Sequence, residues 1–234
     1  MADFQQIDQQ ILRGMTTQLK LRAARLKNGD SSLGWKIGFG APAVMERLGI
    51  RAPLLGFLSK SALIPSGQTV ALQDFKQAVA EPEIAVHMGT DLESDADEAA
   101  VRASIAGLSS AIELADLSFP PNDVERILAG NVYQHSVILG PMDAGRAGAR
   151  LNGLSARLVK DDAEIGKTTD MEANTGVIID LVRLVADCLA GFGLTLRAGE
   201  VIITGSVIPP VMVEQPCTIV FNLEPFASIG VSFK

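Results

Sequence analysis

Two glutamates stand two residues apart in Ala80-Glu81-Pro82-Glu83-Ile84-Ala85-Val86, within a run from Ala78 to Met88 that reads as a strand. Residues i and i+2 of a strand point to one face, so Glu81 and Glu83 share a face, and Ala80, Pro82, Ile84 and Val86 share the other. Neighbouring carboxylates repel and raise each other's pKa. Two readings follow: the face is solvated, or a hard dication sits on it, Mg2+ or Mn2+ by their preference for oxygen ligands. Pro82 suits an edge strand or a bulge. Glu113, in Ser110-Ala111-Ile112-Glu113-Leu114-Ala115, is a lone acid in an apolar segment, either a satisfied core acid or a ligand. Three carboxylates with open positions for water and substrate would suit Mg2+ or Mn2+.

Lys36 lies in Gly34-Trp35-Lys36-Ile37-Gly38. On a strand it projects between two glycines, from a face cleared of neighbouring side chains. It could pair with a substrate carboxylate, act as a base if desolvated, or be a surface lysine on an edge strand. The segment Glu200-Val201-Ile202-Ile203-Thr204-Gly205-Ser206 is an apolar strand ending in a glycine flanked by hydroxyls. It could offer N–H and hydroxyl groups to an anion, or simply exit into a turn. His87 falls on the strand face of Glu81 and Glu83, and His135 falls in a loop. There is no Gly-rich phosphate loop, no Ser/His/Asp ordering and no zinc spacing.

The elements that must position these residues mix helices and short strands without a regular βαβ alternation, which favours an α+β fold. Apolar spacing predicts an N-terminal helix over about 3–28, ended by Asn28-Gly29-Asp30. It predicts a strand at 33–39, a helix from Pro42 to Gly49, and an amphipathic helix from Asp95, its N-cap, to about Ser109. A strand at 111–117, a helix at 123–129, strands at 137–139, 154–159 and 164–167, and a long helix at 174–192 follow. Strands at 201–204, 218–223 and 227–233 close the chain. Without a repeat or linker, residues 1–234 are expected to form a single catalytic domain.

The 234 residues are 47% hydrophobic, enough for a sizeable core, and carry a net charge of -7 with a pI of about 4.9. The basic stretch Lys20–Lys27 reads as one helix face, so no nucleic-acid partner is expected. An acidic chain also lacks a general attraction to anionic membranes, and no run of 18 apolar residues suggests a span. Cys188 and Cys217 show no metal spacing and suit buried thiols in a reducing compartment. The polar N-terminus carries no signal-peptide pattern, and a cytoplasmic location is expected.

Taken together, these segments resemble the fumarylacetoacetate hydrolase superfamily, in its 2-keto-4-pentenoate hydratase and 4-oxalocrotonate decarboxylase branch. The matching residues are GWKIG (34–38), PAVMERLGI…PLLGFL (42–58), EPEIAV (81–86 with its preceding Ala80), AIELAD (111–116), GEVIITGS (199–206) and ASIGVSF (227–233), in family order. The resemblance implies a mixed β-sheet roll with flanking helices, assembled as a homo-oligomer. It implies that Glu81, Glu83 and Glu113 hold Mg2+ or Mn2+ and that a small anionic 2-oxo acid chelates the ion. Lys36 matches the family's active-site lysine, and Thr204, Gly205, Ser206 and Asn131 match substrate-binding positions. The implied activity is a metal-dependent hydratase of a 2-hydroxy-2,4-dienoate. Decarboxylation, acylpyruvate-type C–C hydrolysis, or a non-catalytic accessory role are its alternatives. The chain departs from the pattern at Ala173-Asn174-Thr175-Gly176, where many members carry Gly-His-Pro. It departs again at Tyr133, where hydratases carry a pocket serine.

Overall fold

A computed structural model describes residues 9–234. In chain order its elements are α1 (Gln9–Lys27), β1 (Ser32–Gly38), α2 (Pro42–Leu48), β2 (Leu54–Ser59), β3 (Thr69–Val70), β4 (Ala78–Met88), α3 (Glu98–Ser104), β5 (Ile105–Asp116), α4 (Val124–Ala129), β6 (Gln134–Leu139), β7 (Ser155–Lys160), β8 (Ala163–Thr168), α5 (Ile178–Ala190), β9 (Val201–Ser206), β10 (Val211–Val213), β11 (Cys217–Glu224) and β12 (Ile229–Phe233). Of the helix expected over 3–28, residues 3–8 lie outside the described part, and the rest forms α1.

The spine is the antiparallel pair β4–β5, in register from Ala78 opposite Asp116 to His87 opposite Gly107. Both strands are buried on both faces, which is why their sequences run apolar almost without alternation. Around them the first sheet takes the order β2-β1-β9-β4-β5-β6, with β10 attached to β4. The sheet curls on itself. Beyond β2, Leu63 bridges Val137 on β6, and the Ile64 N–H donates to the Val137 carbonyl at 3.0 Å. The inside of this roll carries a small apolar cluster that includes Leu58, Ala85, Ala111, Val137 and Ile203. Its outer face, with Trp35, Ile84, Ile112 and Leu114, joins the main core. The second sheet, β3-β12-β11-β7-β8, contributes Phe221, Phe233 and Leu158 to that core. The fold is therefore α+β: a mixed-sheet roll with flanking helices.

Four local expectations change. The helix expected over 95–109 is short, and β5 begins at Ile105. Ile105, Leu108 and Ile112 are needed against β4 and the core, and ladder pairing outweighs the local helical pattern of Ile105–Ser110. The N-cap is Asp97, whose side chain accepts from Ala100 N at 2.8 Å. Asp95 instead adopts a left-handed conformation, with its N–H on Asp187. The helix expected from Asn174 starts at Ile178, after Gly176 takes φ 93°. Strand β10 carries no signal beyond its preceding Pro209-Pro210.

The fourth change concerns Pro82, which lies on a central strand and not an edge, beside a register irregularity that answers to the bulge alternative. β10 pairs with β4 as far as Ala80, and β9 pairs from Glu83, with a register irregularity between Glu83 and Ala85. Pro82 falls in the gap between these neighbours, where its missing N–H breaks no ladder, and its carbonyl accepts from Val207 N at 2.9 Å. Among the described residues no helix is long and apolar enough to cross a membrane.

Candidate metal centre

Register alone brings the acids together. Glu81 lies directly opposite Glu113 across β4–β5, and Glu83 is two residues further along the same face. Directly opposed side chains of a sheet approach to about 5 Å at Cβ, and like charges there destabilise the pairing. A ligand oxygen of each of Glu81, Glu83 and Glu113 falls within 4.8 Å of the others. The face is therefore not solvated: Glu83 is 0% and Glu113 1% exposed, while Glu81 is partly exposed.

Lys36 reaches this cluster from β1, across the inside of the roll. Lys36 is 2% exposed, and its ammonium donates to Glu113 Oε1 and to the Val132 carbonyl at 2.9 Å. The room for it is built by glycines. Gly56 lies opposite Lys36 on β2, and a Cβ there would fall 2.8 Å from Lys36 Cγ. Gly34, at φ 147°, meets Val201 on β9 so closely that a Cβ would sit 1.9 Å from its carbonyl oxygen. Lys36 is thus a buried, paired lysine rather than an edge-strand surface residue.

The Val132 carbonyl is aimed by an unusual turn. After α4, Asn131, Val132 and Tyr133 adopt φ 59°, 52° and 60° in succession. Left-handed backbone costs roughly 1–2 kcal/mol per non-glycine residue, so such a turn persists only where its surroundings hold it. Asn131 supplies part of that hold. Its Oδ1 accepts from Phe57 N at 2.8 Å, and its Nδ2 donates to Phe57 O at 2.9 Å. Helix α4 is fixed in turn by α1, through Gln18 Nε2 on Leu128 O at 2.9 Å and Arg13 on Glu125 at 2.7 Å. Asn131 accordingly lies under the site and does not line its cavity.

Burial pushes all three carboxyls up. Glu81 rises to about 7, mainly through desolvation and then through Glu113, with Lys36 opposing. Glu83 goes well up for the same first reason, reinforced by Glu113 and Glu81 and opposed by Lys36 and the Gly205 N–H. Glu113 is raised by burial against the pull of Lys36. With the three carboxyls ionised, Glu83 Oε1 and Glu113 Oε2 are buried with no hydrogen-bond partner. Three converging carboxylates with two orphaned oxygens form the donor set a hard divalent cation takes, so the residues present fit such an ion.

The cluster opens through Glu81 into a cavity of about 400 Å3 lined by Lys36, Glu81, Thr204, Gly205 and Ser206. The rest of the wall is mostly apolar, with Ile37, Phe39, Val79, Leu117, Tyr133 and Met212. The 204–206 segment turns its polar groups partly inward. The Gly205 N–H donates to Glu83 Oε2 at 2.6 Å, Thr204 Oγ1 to the Ile84 carbonyl and Ser206 Oγ to the Ile208 carbonyl. Its anion is thus a carboxylate of this chain. Tyr133 Oη donates to the Phe119 carbonyl at 2.9 Å, and burial pushes its phenol up to about 12. His87 meets Ser109 at 2.8 Å further along the roll, and His135, expected in a loop, lies on β6 and stacks on Phe75 at 4.1 Å, so neither lines the cavity. The Val132 carbonyl, Gly56 and Met212 carried no chemical signal in sequence, because each enters through backbone geometry or sheet pairing.

A 2-keto-4-pentenoate hydratase of Paraburkholderia phymatum is 29% identical over 217 residues, covering 92% of this chain and 81% of that protein. A 4-oxalocrotonate decarboxylase of Pseudomonas putida is 24% identical over 224 residues, covering 93% and 83%. A solved structure of 4-oxalocrotonate decarboxylase from Pseudomonas putida G7, complexed with magnesium and adipate, matches with a TM-score of 0.88 at 23% identity. That match spans 99% of this chain and 88% of the other, and at such identity it speaks for the fold. Residues 39–230 match the family model described as fumarylacetoacetate (FAA) hydrolase C-terminal, and the chain belongs to the fumarylacetoacetate hydrolase family.

Proposed function

We propose that this chain is a divalent-metal-dependent lyase that hydrates a 2-hydroxy-2,4-dienoate, with Mg2+ or Mn2+ held by Glu81, Glu83 and Glu113. The observation that carries the reading is the trio of converging carboxylates with two buried oxygens left unpartnered. The names of its relatives, hydratases and decarboxylases among them, agree with it. A bound dication supplies a chelating centre for the carboxylate and 2-oxo groups of a 2-oxo acid and stabilises enolate charge.

The chain's own residues do the rest. Glu81 lies at the cavity floor and turns one carboxylate toward the ligand space. The Gly205 N–H keeps Glu83 oriented. Lys36 carries its proton at Nζ between Glu113 and the Val132 carbonyl, within the cavity wall, where it can pair with substrate or move that proton. Ile37, Phe39 and Val79 exclude water from the carbon chain, which strengthens the charge interactions at the floor. Thr204, Gly205 and Ser206 border the substrate. A homo-oligomeric assembly belongs to the same reading.

A decarboxylase or acylpyruvate-type hydrolase would use the same floor, since each reaction passes through an enolate. Thermal unfolding with Mn2+ or Mg2+, with and without oxalate, tests the shared part. Ligands that bind only the native state raise its apparent stability. The expected result is a rise with metal and a further rise with oxalate only when metal is present. No shift at millimolar metal would overturn the reading. Turnover of 2-hydroxypenta-2,4-dienoate against a vinylogous 2-oxo diacid then separates hydration from loss of CO2.

A further inference from the structure

The Val132 carbonyl accepts from the Lys36 ammonium at 2.9 Å, and each of these two residues is followed closely by an aromatic one in left-handed backbone. Phe39 stands three positions after Lys36 and Tyr133 one position after Val132, both at φ 60°. Bulky side chains rarely adopt that conformation. The two rings line the cavity and meet at 6.2 Å between centroids. Tyr133, 5% exposed, is held from three sides. Its carbonyl accepts from Asp116 N at 2.9 Å, its Oη donates to the Phe119 carbonyl at 2.9 Å, and its ring packs on the Phe119 ring at 4.6 Å. Phe119 is pinned in turn by the Arg126 guanidinium of α4, 4.1 Å from its ring centroid. The phenol proton of Tyr133 is therefore spent within the wall and not offered to a ligand.

We infer that Tyr133 is a positioning residue that clamps the Val132 carbonyl against the Lys36 ammonium. The consequence for turnover rests on the role given to Lys36 above. Asn131 holds only the first of the three successive left-handed residues, through Phe57. The third needs a restraint of its own, because a non-glycine residue leaves this conformation unless its surroundings fix it. Asp116 and Phe119 supply that restraint. One residue, Val132, separates the two anchors, so the direction of its carbonyl is set by both. The end of β1 closes the frame: a Cβ at Gly38 would lie 3.0 Å from Val132 Cγ1 and 3.9 Å from Lys36 Cε. Among the described residues, the Val132 carbonyl is the one acceptor of Lys36 outside the carboxylate cluster. A carbonyl that swings away leaves the ammonium drawn wholly toward Glu113.

The test reads the lysine itself. With lysine 13C-labelled at Cε in the full chain, the Lys36 resonance is identified by its loss in Lys36→Met and in Lys36→Arg. Tyr133→Phe keeps the ring and removes only the bond to Phe119. Asp97→Ala removes the α3 cap, outside the cavity wall, as a control for stability lost elsewhere. The expected result is a displaced Lys36 resonance in Tyr133→Phe and an unchanged one in Asp97→Ala. With Mn2+ and 2-hydroxypenta-2,4-dienoate, kcat in Tyr133→Phe falls about tenfold while KM stays within about twofold, since misplacing a proton-transfer group costs rate and not ground-state binding. An unmoved resonance in Tyr133→Phe, or one moved equally in Asp97→Ala, overturns the clamp. A KM that rises with kcat unchanged makes the phenol a substrate contact and overturns it as well. A displaced resonance with unchanged kinetics overturns the consequence for turnover. If the wild-type chain neither binds Mn2+ nor turns over the dienoate, the lyase reading falls, and the resonance, read without metal or substrate, still decides the clamp.

Discussion

Two buried acidic centres flank β1, one held by Ser32 and Trp35 and the other met by the next residue, Lys36, and they are built on different terms. At Glu200, 8% exposed, every oxygen is answered. Oε1 accepts from Ser32 Oγ at 2.8 Å with Arg22 at 3.6 Å, and Oε2 accepts from Trp35 Nε1 at 3.0 Å and Arg197 N at 3.1 Å. At the other centre, Glu83 and Glu113 are at least as deeply buried, yet each keeps an oxygen with no partner. One centre is closed and ties a loop to a strand. The other is open and asks for a cation. Burial of a carboxylate does not by itself distinguish structure from function; the accounting of its lone pairs does.

The sharpest way to break this contrast is to remove one acid from each centre. Glu83→Gln is expected to lower Mn2+ affinity by about a hundredfold or more, because a ligand is lost outright where even supporting groups cost 10- to 100-fold. Its metal-free melting temperature should hold or rise, since one member of a repelling trio has gone. Calorimetric titration with Mn2+ and a metal-free melt check both arms, and unchanged affinity would close the open centre. Glu200→Gln should do the reverse. It leaves Mn2+ affinity alone and costs about 1–3 kcal/mol in denaturant unfolding, because Trp35 Nε1, Ser32 and Arg22 lose a charged acceptor.

A smaller effect is expected at Asn131, which supports the open centre without touching the cavity. Asn131→Ala should cost about 1–2 kcal/mol of stability, through the unpaired Phe57 backbone groups and a left-handed turn left unsupported. If the turn aims the Val132 carbonyl at Lys36, the variant also shifts the pH profile of kcat while KM changes little. A lost melting temperature with an unmoved profile would make Asn131 a fold residue only.

The subtlest test is pH. The three carboxyls have folded pKa values above their unfolded ones, so between the unfolded value near 4.5 and the folded value, about 7 for Glu81, the native state binds more protons than the unfolded state. Metal-free stability should then fall as pH rises through that window. Saturating Mn2+ should flatten or invert the slope, because the ion replaces the protons, and metal affinity should climb with pH. A metal-free stability that rises from pH 5 to 7.5, after Glu81→Gln has been used as the reference, would contradict the raised values.

Much of this is legible in the amino-acid sequence. Strand β4 runs from Ala78 to Met88 as its apolar run predicts, and two-residue periodicity places Glu81 and Glu83 on one face. The glycines flanking Lys36 announced a cleared face, and α2 ends at Gly49 as its sequence indicates. The start of β5 was not legible, because a strand buried on both faces loses its alternation and Ile105–Ser110 passes for a helix.

The chain's own sequence determined which residues could do chemistry, because residue type and local period are properties of neighbouring positions. Tertiary structure decided what those residues meet. The β4–β5 register sets Glu113 opposite Glu81, and the curl of the sheet brings Lys36 across to Glu113. A left-handed turn held by Phe57 aims the Val132 carbonyl, and β10 supplies Met212 to the wall. Such contacts join residues tens to more than a hundred positions apart, and no local pattern encodes which lone pairs they will leave unanswered.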